Sequence, residues 1–330
     1  MHSREEIKRK YLDFIAGSNI SFDDLALDIF QYQSQTNPVY KTFLNHLSVE
    51  ESSVADIEQI PFLPVSMFKK YKVKSGNWKE EKIFESSSTS GIVTSKHFIR
   101  DLEFYLENAK IDFEESYGDL KDYCFMALLP SYLERNNSSL VFMVDYFIKK
   151  SGCGGFYKYD YDKLLMDAMS YDGNKRIVLI GVTFALLEMA VKNAGDLSNF
   201  IIMETGGMKG RGKELPRVEL HGKLKQAFGV DKIHSEYGMT ELLSQSYSKG
   251  NGVFKTSKTM KMLFSDIYDP FSYVDIGRQG KINVIDLANF DTCSFLATDD
   301  LGRNLGNGKF EVLGRTDESD IRGCNLLFTG

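Results

Sequence analysis

The sequence predicts an α/β protein: helices covering a mostly parallel sheet, followed by a small β subdomain. Three observations predict it. Across residues 124–234, short apolar runs alternate five times with stretches of helical period, the pattern of parallel strands joined by crossover helices. Beyond residue 250 the helical period fades, and short alternating runs separated by Gly and Asp replace it. The first eighty or so residues, by contrast, are mostly helical in period.

In chain order, residues 4–15 and 22–33 each place apolar side chains at helical spacing, and Asn37-Pro38 opens a third helix with Pro in its first turn. Two prolines in Ile60-Pro61-Phe62-Leu63-Pro64 favour an extended crossing segment. Strands are expected at 124–129, 155–159, 177–180, 200–203 and 232–234, with helices at 139–149, 161–169, 184–193 and 217–228. Further strands at 281–285, 294–297 and 309–313 are expected to be joined by turns such as Asp300-Leu301-Gly302. The expected divisions are a helical segment 1–80 packed on the core, an α/β core 81–250, a β subdomain 251–313, and a connector with a short tail 314–330.

Of the 330 residues, 40 are Lys or Arg and 46 are Asp or Glu, for a net charge of −6. That balance excludes general nucleic-acid binding, which needs a broad basic face, but leaves room for a local pocket for one small anion. The apolar stretch 177–191 is broken by Thr183 and Glu188 and is too short to span a bilayer. Met1-His2-Ser3-Arg4-Glu5-Glu6 lacks the apolar core of a secretory signal. Cys124, Cys153, Cys293 and Cys324 lie far apart with no CxxC pair, which fits reduced thiols in a cytoplasm better than a disulfide framework or zinc site. A soluble cytoplasmic protein is expected.

Five segments can carry chemistry. Ser86, Ser87, Ser88, Thr89 and Ser90 precede Gly91, and hydroxyls with backbone N–H groups in a tight turn can surround phosphate oxygens. The plainer reading is a solvated loop. Thr205-Gly206-Gly207-Met208-Lys209-Gly210-Arg211-Gly212-Lys213 follows a strand and precedes a helix, but Glu214 stands where a P-loop needs a hydroxyl, so a P-loop nucleoside triphosphatase is rejected. A mobile basic loop near a nucleotide and a flexible surface turn both stay open. His234-Ser235-Glu236-Tyr237-Gly238-Met239-Thr240-Glu241 follows the fifth strand, where α/β sheets bind ligands; its aromatic can stack on a base and its carboxylate can hold magnesium. It reads equally as a strand-to-helix turn with Thr240 as the cap. Asp299 and Asp300 lie at a strand end, where an acid can accept ribose hydroxyls. Arg315, in Gly314-Arg315-Thr316-Asp317, can reach a ribose or phosphate.

Taken in order, the Ser/Thr/Gly loop, Tyr-Gly-Met-Thr-Glu, Thr-x-Asp-Leu and Gly-Arg-x-Asp resemble the adenylate-forming superfamily of acyl-CoA synthetases, peptide synthetase adenylation domains and firefly luciferase. Within it, Ile60-Pro61-Phe62-Leu63-Pro64-Val65-Ser66-Met67-Phe68-Lys69, Leu129-Pro130-Ser131-Tyr132-Leu133-Glu134-Arg135 and Thr205-Gly206-Gly207-Met208-Lys209-Gly210 are similar to the LuxE-type acyl-protein synthetases of bacterial luminescence. The resemblance runs from about residue 55 to the last residue. It implies a large adenylate-forming N-terminal domain without the lysine-bearing C-terminal domain, residues 314–330 being a hinge remnant.

The resemblance also implies roles. Ser87, Ser88, Thr89, Ser90 and Gly91 would hold the ATP β- and γ-phosphates, with Gly206 and Gly207 nearby. Tyr237, between Glu236 and Gly238, would lie against adenine, Thr240 would contact the α-phosphate, and Glu241 would hold Mg2+. Asp300 would take the ribose hydroxyls beside Arg315, although Asp299 replaces the family's glycine and keeps the choice of acid open. Lys209, Arg211 and Lys213, or a partner subunit, would supply the missing cation. Cys324 would carry the acyl group, with Cys153 a distant second candidate, and Gly181-Val182-Thr183-Phe184 would line the acyl channel. The implied substrate is a fatty or aromatic carboxylic acid, activated with ATP and passed to a thiol for delivery to an acyl reductase or carrier protein. An acyl- or aryl-CoA ligase and a non-catalytic nucleotide- or acyl-binding partner are the alternatives.

Overall fold

The computed structural model describes residues 2–86, 94–130, 137–192, 196–206 and 215–315. Two compact units share the chain: residues 1–67, 73–76 and 258–330 form one, and residues 68–72 and 77–257 the other.

The first unit opens with helices α1 (Arg4–Ile15), α2 (Phe22–Thr36) and α3 (Pro38–His46). Each begins at a polar cap. Ser3 Oγ accepts from Glu6 N–H, Ser21 Oγ from Asp24 N–H, and Asn37 Oδ1 from Val39 and Tyr40 N–H, with Pro38 supplying the preset φ of a first turn. The extended segment ends in β1 (Leu63–Pro64), and a single helical turn α4 (Met67–Lys70) follows.

In the second unit the hairpin β2 (Lys82–Glu85) and β3 (Lys96–Ile99) precedes helix α5 (Leu102–Tyr117). Then come β4 (Tyr123–Leu128), α6 (Ser139–Ser151), β5 (Gly154–Phe156), α7 (Tyr161–Met169), β6 (Arg176–Val182) and α8 (Thr183–Val191). They are followed by β7 (Ile201–Thr205), α9 (Arg217–Phe228), β8 (His234–Tyr237), β9 (Ser246–Ser248) and β10 (Val253–Lys255). The strands lie in the order β10-β9-β8-β7-β6-β4-β5, parallel from β8 to β5 and antiparallel from β8 to β10. All six residues of β4 are buried, as expected of a strand covered on both faces. Phe113 of α5 is the hub of an aromatic core, its ring 4.8–5.8 Å from those of Tyr117, Tyr123, Phe125, Phe147 and Tyr247.

The chain then returns to the first unit with β11 (Met260–Ser265), β12 (Gln279–Asp286), β13 (Phe295–Gly306) and β14 (Lys309–Arg315), an antiparallel run in that order. β1 pairs in parallel with the start of β13. The buried amide of Gln33 on α2 closes this unit: its Nε2 donates to the carbonyls of Asn289, Phe290 and Thr292, and its Oε1 accepts from Ser294 N–H.

Two expectations are corrected. Asp300-Leu301-Gly302 is not a turn but the middle of β13, paired there with β12 and β14; the reversal comes at Gly306-Asn307-Gly308, all three at positive φ. Ladder pairing outweighs the turn propensity of Asp and Gly. Cys124 and Cys153 are not free thiols. Parallel pairing sets Phe125 opposite Gly154, so the preceding cysteines lie side by side with Cα atoms 4.7 Å apart and their sulfurs bonded. Among the described residues no helix is long and apolar enough to cross a membrane.

Candidate active site

The parallel strands β6, β7 and β8 end at Val182, Thr205 and Tyr237, and the loops beyond them carry much of the expected chemistry. Thr205 closes β7 opposite Glu236 on β8, and its hydroxyl donates to Glu236 Oε2. Gly206 follows in the left-handed region at φ 65°, and its carbonyl accepts from the Thr183 hydroxyl at 2.8 Å. Thr205, Gly206, Thr183 and Glu236 are therefore brought together.

Glu204, one residue earlier on β7, is buried and forms an ion pair with Arg217 at the start of α9. Arg217 also donates to Ser235 Oγ at 3.1 Å, and its guanidinium lies 5.1 Å from the Phe254 ring centroid. Burial works to raise the Glu204 carboxyl, but the nearby His221 ring, the Arg217 charge and the Ser235 hydroxyl outweigh it and hold it below the ordinary range. Glu236 goes the other way. Burial, against the Thr205 hydrogen bond and with added repulsion from Glu204, pushes its carboxyl up to about 7. A side chain on Gly238 would place its Cβ 2.4 Å from Glu236 Oε1, so a larger residue there would displace this carboxylate.

Residues 238–245 link β8 to β9, and no helix follows Thr240, so the helix-cap reading is overturned. The loop closes on itself through Leu242 N–H to the Met239 carbonyl at 3.1 Å. Three side chains pin it from outside. His97 of β3, fully buried, donates from Nδ1–H to the Thr240 carbonyl at 2.7 Å; Asn108 of α5 donates to the Leu243 carbonyl at 3.0 Å; Asp112 accepts from Gln245 N–H at 2.9 Å. Glu241 is buried within this frame, Thr240 is half-buried, and Tyr237 packs edge-on to Phe254 with ring centroids 6.0 Å apart.

In the other unit, β13 and β14 set Asp300 directly opposite Arg315. Asp300 is buried, takes Thr298 Oγ1 on its own N–H, and accepts Arg315 Nε on Oδ1 at 2.9 Å; Asp299 is exposed. Ser87, Ser88, Thr89, Ser90, Gly91, Gly207, Lys209, Arg211, Lys213 and Cys324 lie outside the described residues, as does Ser131 to Arg135. Val182 and Phe184 are buried at the junction of β6 and α8.

Sequence reasoning missed Glu204, Arg217, His97, Asn108 and Asp112, the groups that brace the loops. One signal was present: Glu204 is the lone acid in the apolar run Ile201-Ile202-Met203 that ends at an expected ligand loop.

No protein-family model matches the chain, and no curated protein sequence matches it. Solved structures do. The 2-hydroxyisobutyryl-CoA ligase in the postadenylation state, in complex with R3-HIB-AMP, aligns with a TM-score of 0.64 at 12% identity over 90% of this chain and 68% of its own. ATP-bound MatB from Rhodopseudomonas palustris aligns at 0.55 and 16% identity over 71% of this chain and 47% of its own. O-succinylbenzoate coenzyme A synthetase from Bacillus subtilis, in complex with AMP, aligns at 0.52 and 17% identity over 72% of this chain and 49% of its own. The chain spans about half the length of these last two. At such identities the likeness is one of fold: the chain has the fold of adenylate-forming enzymes.

Proposed function

We propose that this chain activates a carboxylic acid with ATP and hands the acyl group to a thiol. The observation that carries the reading is the placement of Tyr237-Gly238-Met239-Thr240-Glu241 at the carboxyl end of β8 and in the loop that follows it, in a fold shared with ATP- and AMP-bound enzymes. A carboxylate is a poor acyl donor because its leaving group is oxide. Attack of its oxygen on the α-phosphorus of ATP expels pyrophosphate and gives an acyl-adenylate, from which a thiolate displaces AMP.

In this reading Tyr237, between Glu236 and Gly238, lies against adenine, Thr240 contacts the α-phosphate, and Asp300, aligned by Arg315, takes the ribose hydroxyls. Ser87 to Gly91, Gly206, Gly207 and Lys209 serve the phosphates. Glu241, a buried carboxylate on this turn, would give magnesium a single protein oxygen ligand. That donor set suits an ion arriving on phosphate oxygens, as magnesium does. When bound, the ion neutralises phosphate charge so that an anionic acid can approach.

The resemblance of the sequence to acyl-protein synthetases favours a protein thiol as acceptor, carried on Cys324 and delivered to an acyl reductase or carrier. Coenzyme A is the second reading, favoured by the CoA ligases and synthetases that share the fold. Incubation with ATP, magnesium and radiolabelled acids, with and without coenzyme A, tests both. Label retained on the chain and lost in Cys324→Ser supports the protein thiol, and label released as acyl-CoA supports the second acceptor. Absence of labelled acyl-AMP with every fatty and aromatic acid tried contradicts the activation step itself.

A further inference from the structure

We propose that His97 is a positioning residue that fixes the Thr240–Glu241 turn against the β2–β3 hairpin, and so sets nucleotide affinity without touching the nucleotide; this rests on the adenylation reading above. The bond is specific. The Thr240 oxygen is a carbonyl and can only accept, so His97 must carry its proton on Nδ1. The ring is fully buried, on a strand whose partners are antiparallel hairpin residues (Phe84 faces His97), and Phe68 packs edge-on to it with centroids 5.6 Å apart. A rigid ring on a paired strand gives a fixed point, 2.7 Å from the peptide that joins the two residues expected to meet phosphate and magnesium.

The rest of the loop is held from another element. Asn108 and Asp112, both on α5, pin Leu243 and Gln245. The loop is thus held by β3 at Thr240 and, separately, by α5 beyond Leu242. Removing the β3 bond leaves the α5 bonds in place.

Two variants of the full chain separate these roles. His97→Phe keeps an aromatic ring against Phe68 and loses the donor; His97→Asn restores an N–H at nearly the position of Nδ1. The structure assigns this outcome: in His97→Phe the amides of residues 239–242 exchange with solvent about tenfold faster, the worth of one buried hydrogen bond, while residues 243–245 keep wild-type rates. The KM for ATP in pyrophosphate exchange rises by a similar factor, and His97→Asn recovers both quantities. Unchanged amide rates, equal loosening of residues 243–245, an unaltered KM, or failure of Asn to rescue overturns the proposal. A wild-type chain that exchanges no pyrophosphate sinks the adenylation reading instead, and the amide rates then decide the His97 link by themselves.

Discussion

Arg315 Nε donates to Asp300 Oδ1 at 2.9 Å, and the two residues stand directly opposite each other on β14 and β13. Asp300 is buried while its neighbour Asp299 is exposed, because successive strand residues point to opposite faces. The ion pair holds buried Asp300 in one orientation, and the proposed function gives that acid the ribose.

Asp300→Asn should weaken ATP binding about 10- to 100-fold, as loss of a charge-assisted hydrogen bond does. Asp299→Asn, on the exposed face, should change it less than about twofold. Equilibrium titration with ATP checks both, and a larger loss in Asp299→Asn would reverse the assignment.

The Glu236 carboxyl, pushed up to about 7 from 4.5, holds its proton more tightly in the folded than in the unfolded chain. Between these values the native state binds more protons, so stability from this group is greatest below about 4.5 and falls as pH rises to about 7. Thermal midpoints of wild type and Glu236→Gln, measured from pH 5 to 8, should diverge, the wild type losing ground up to pH 7 and running parallel thereafter. Parallel curves throughout would show that the carboxyl titrates normally.

Much of the scaffold was legible in the sequence because local signals agreed with the final packing. Helices at 4–15, 161–169 and 217–228 have the expected bounds, and the first two begin at a side-chain cap, Ser3 and Asp160. Helix α5 escaped notice because its buried face includes Asn108 and Asp112, which break an apolar stripe yet exist to hold the 238–245 loop. Strand β11 and the full length of β13 depend on pairing with β12, a partner that no local window contains. The same holds for the Cys124–Cys153 bond, which 29 residues of sequence separation hide and one parallel strand pair reveals. The Tyr237-to-Glu241 motif was legible from the order of residues; its bracing by His97 was not, since 143 positions separate His97 from Thr240.

Thiol titration in denaturant without reductant should detect two of the four cysteines, Cys293 and Cys324. Replacing Cys124 and Cys153 together by Ser should cost about 3–4 kcal/mol in urea unfolding, the chain-entropy value for a loop of this length. Four reactive thiols would exclude the bond.

Phe113 touches five aromatic rings and is fully buried. Phe113→Ala should destabilise the chain by about 3–5 kcal/mol in denaturant unfolding, from lost burial and the cavity left behind. A cost below about 1 kcal/mol would mean that the cluster repacks, contrary to the interlocked geometry seen.

The most direct measurement is carboxylate-dependent exchange of labelled pyrophosphate into ATP, screened over fatty, aromatic and short branched acids. At least one acid should drive exchange in the wild type, and Glu241→Ala should abolish it. No exchange with any acid, or exchange undiminished in Glu241→Ala, would contradict the claim that the turn after β8 grips ATP for acyl activation.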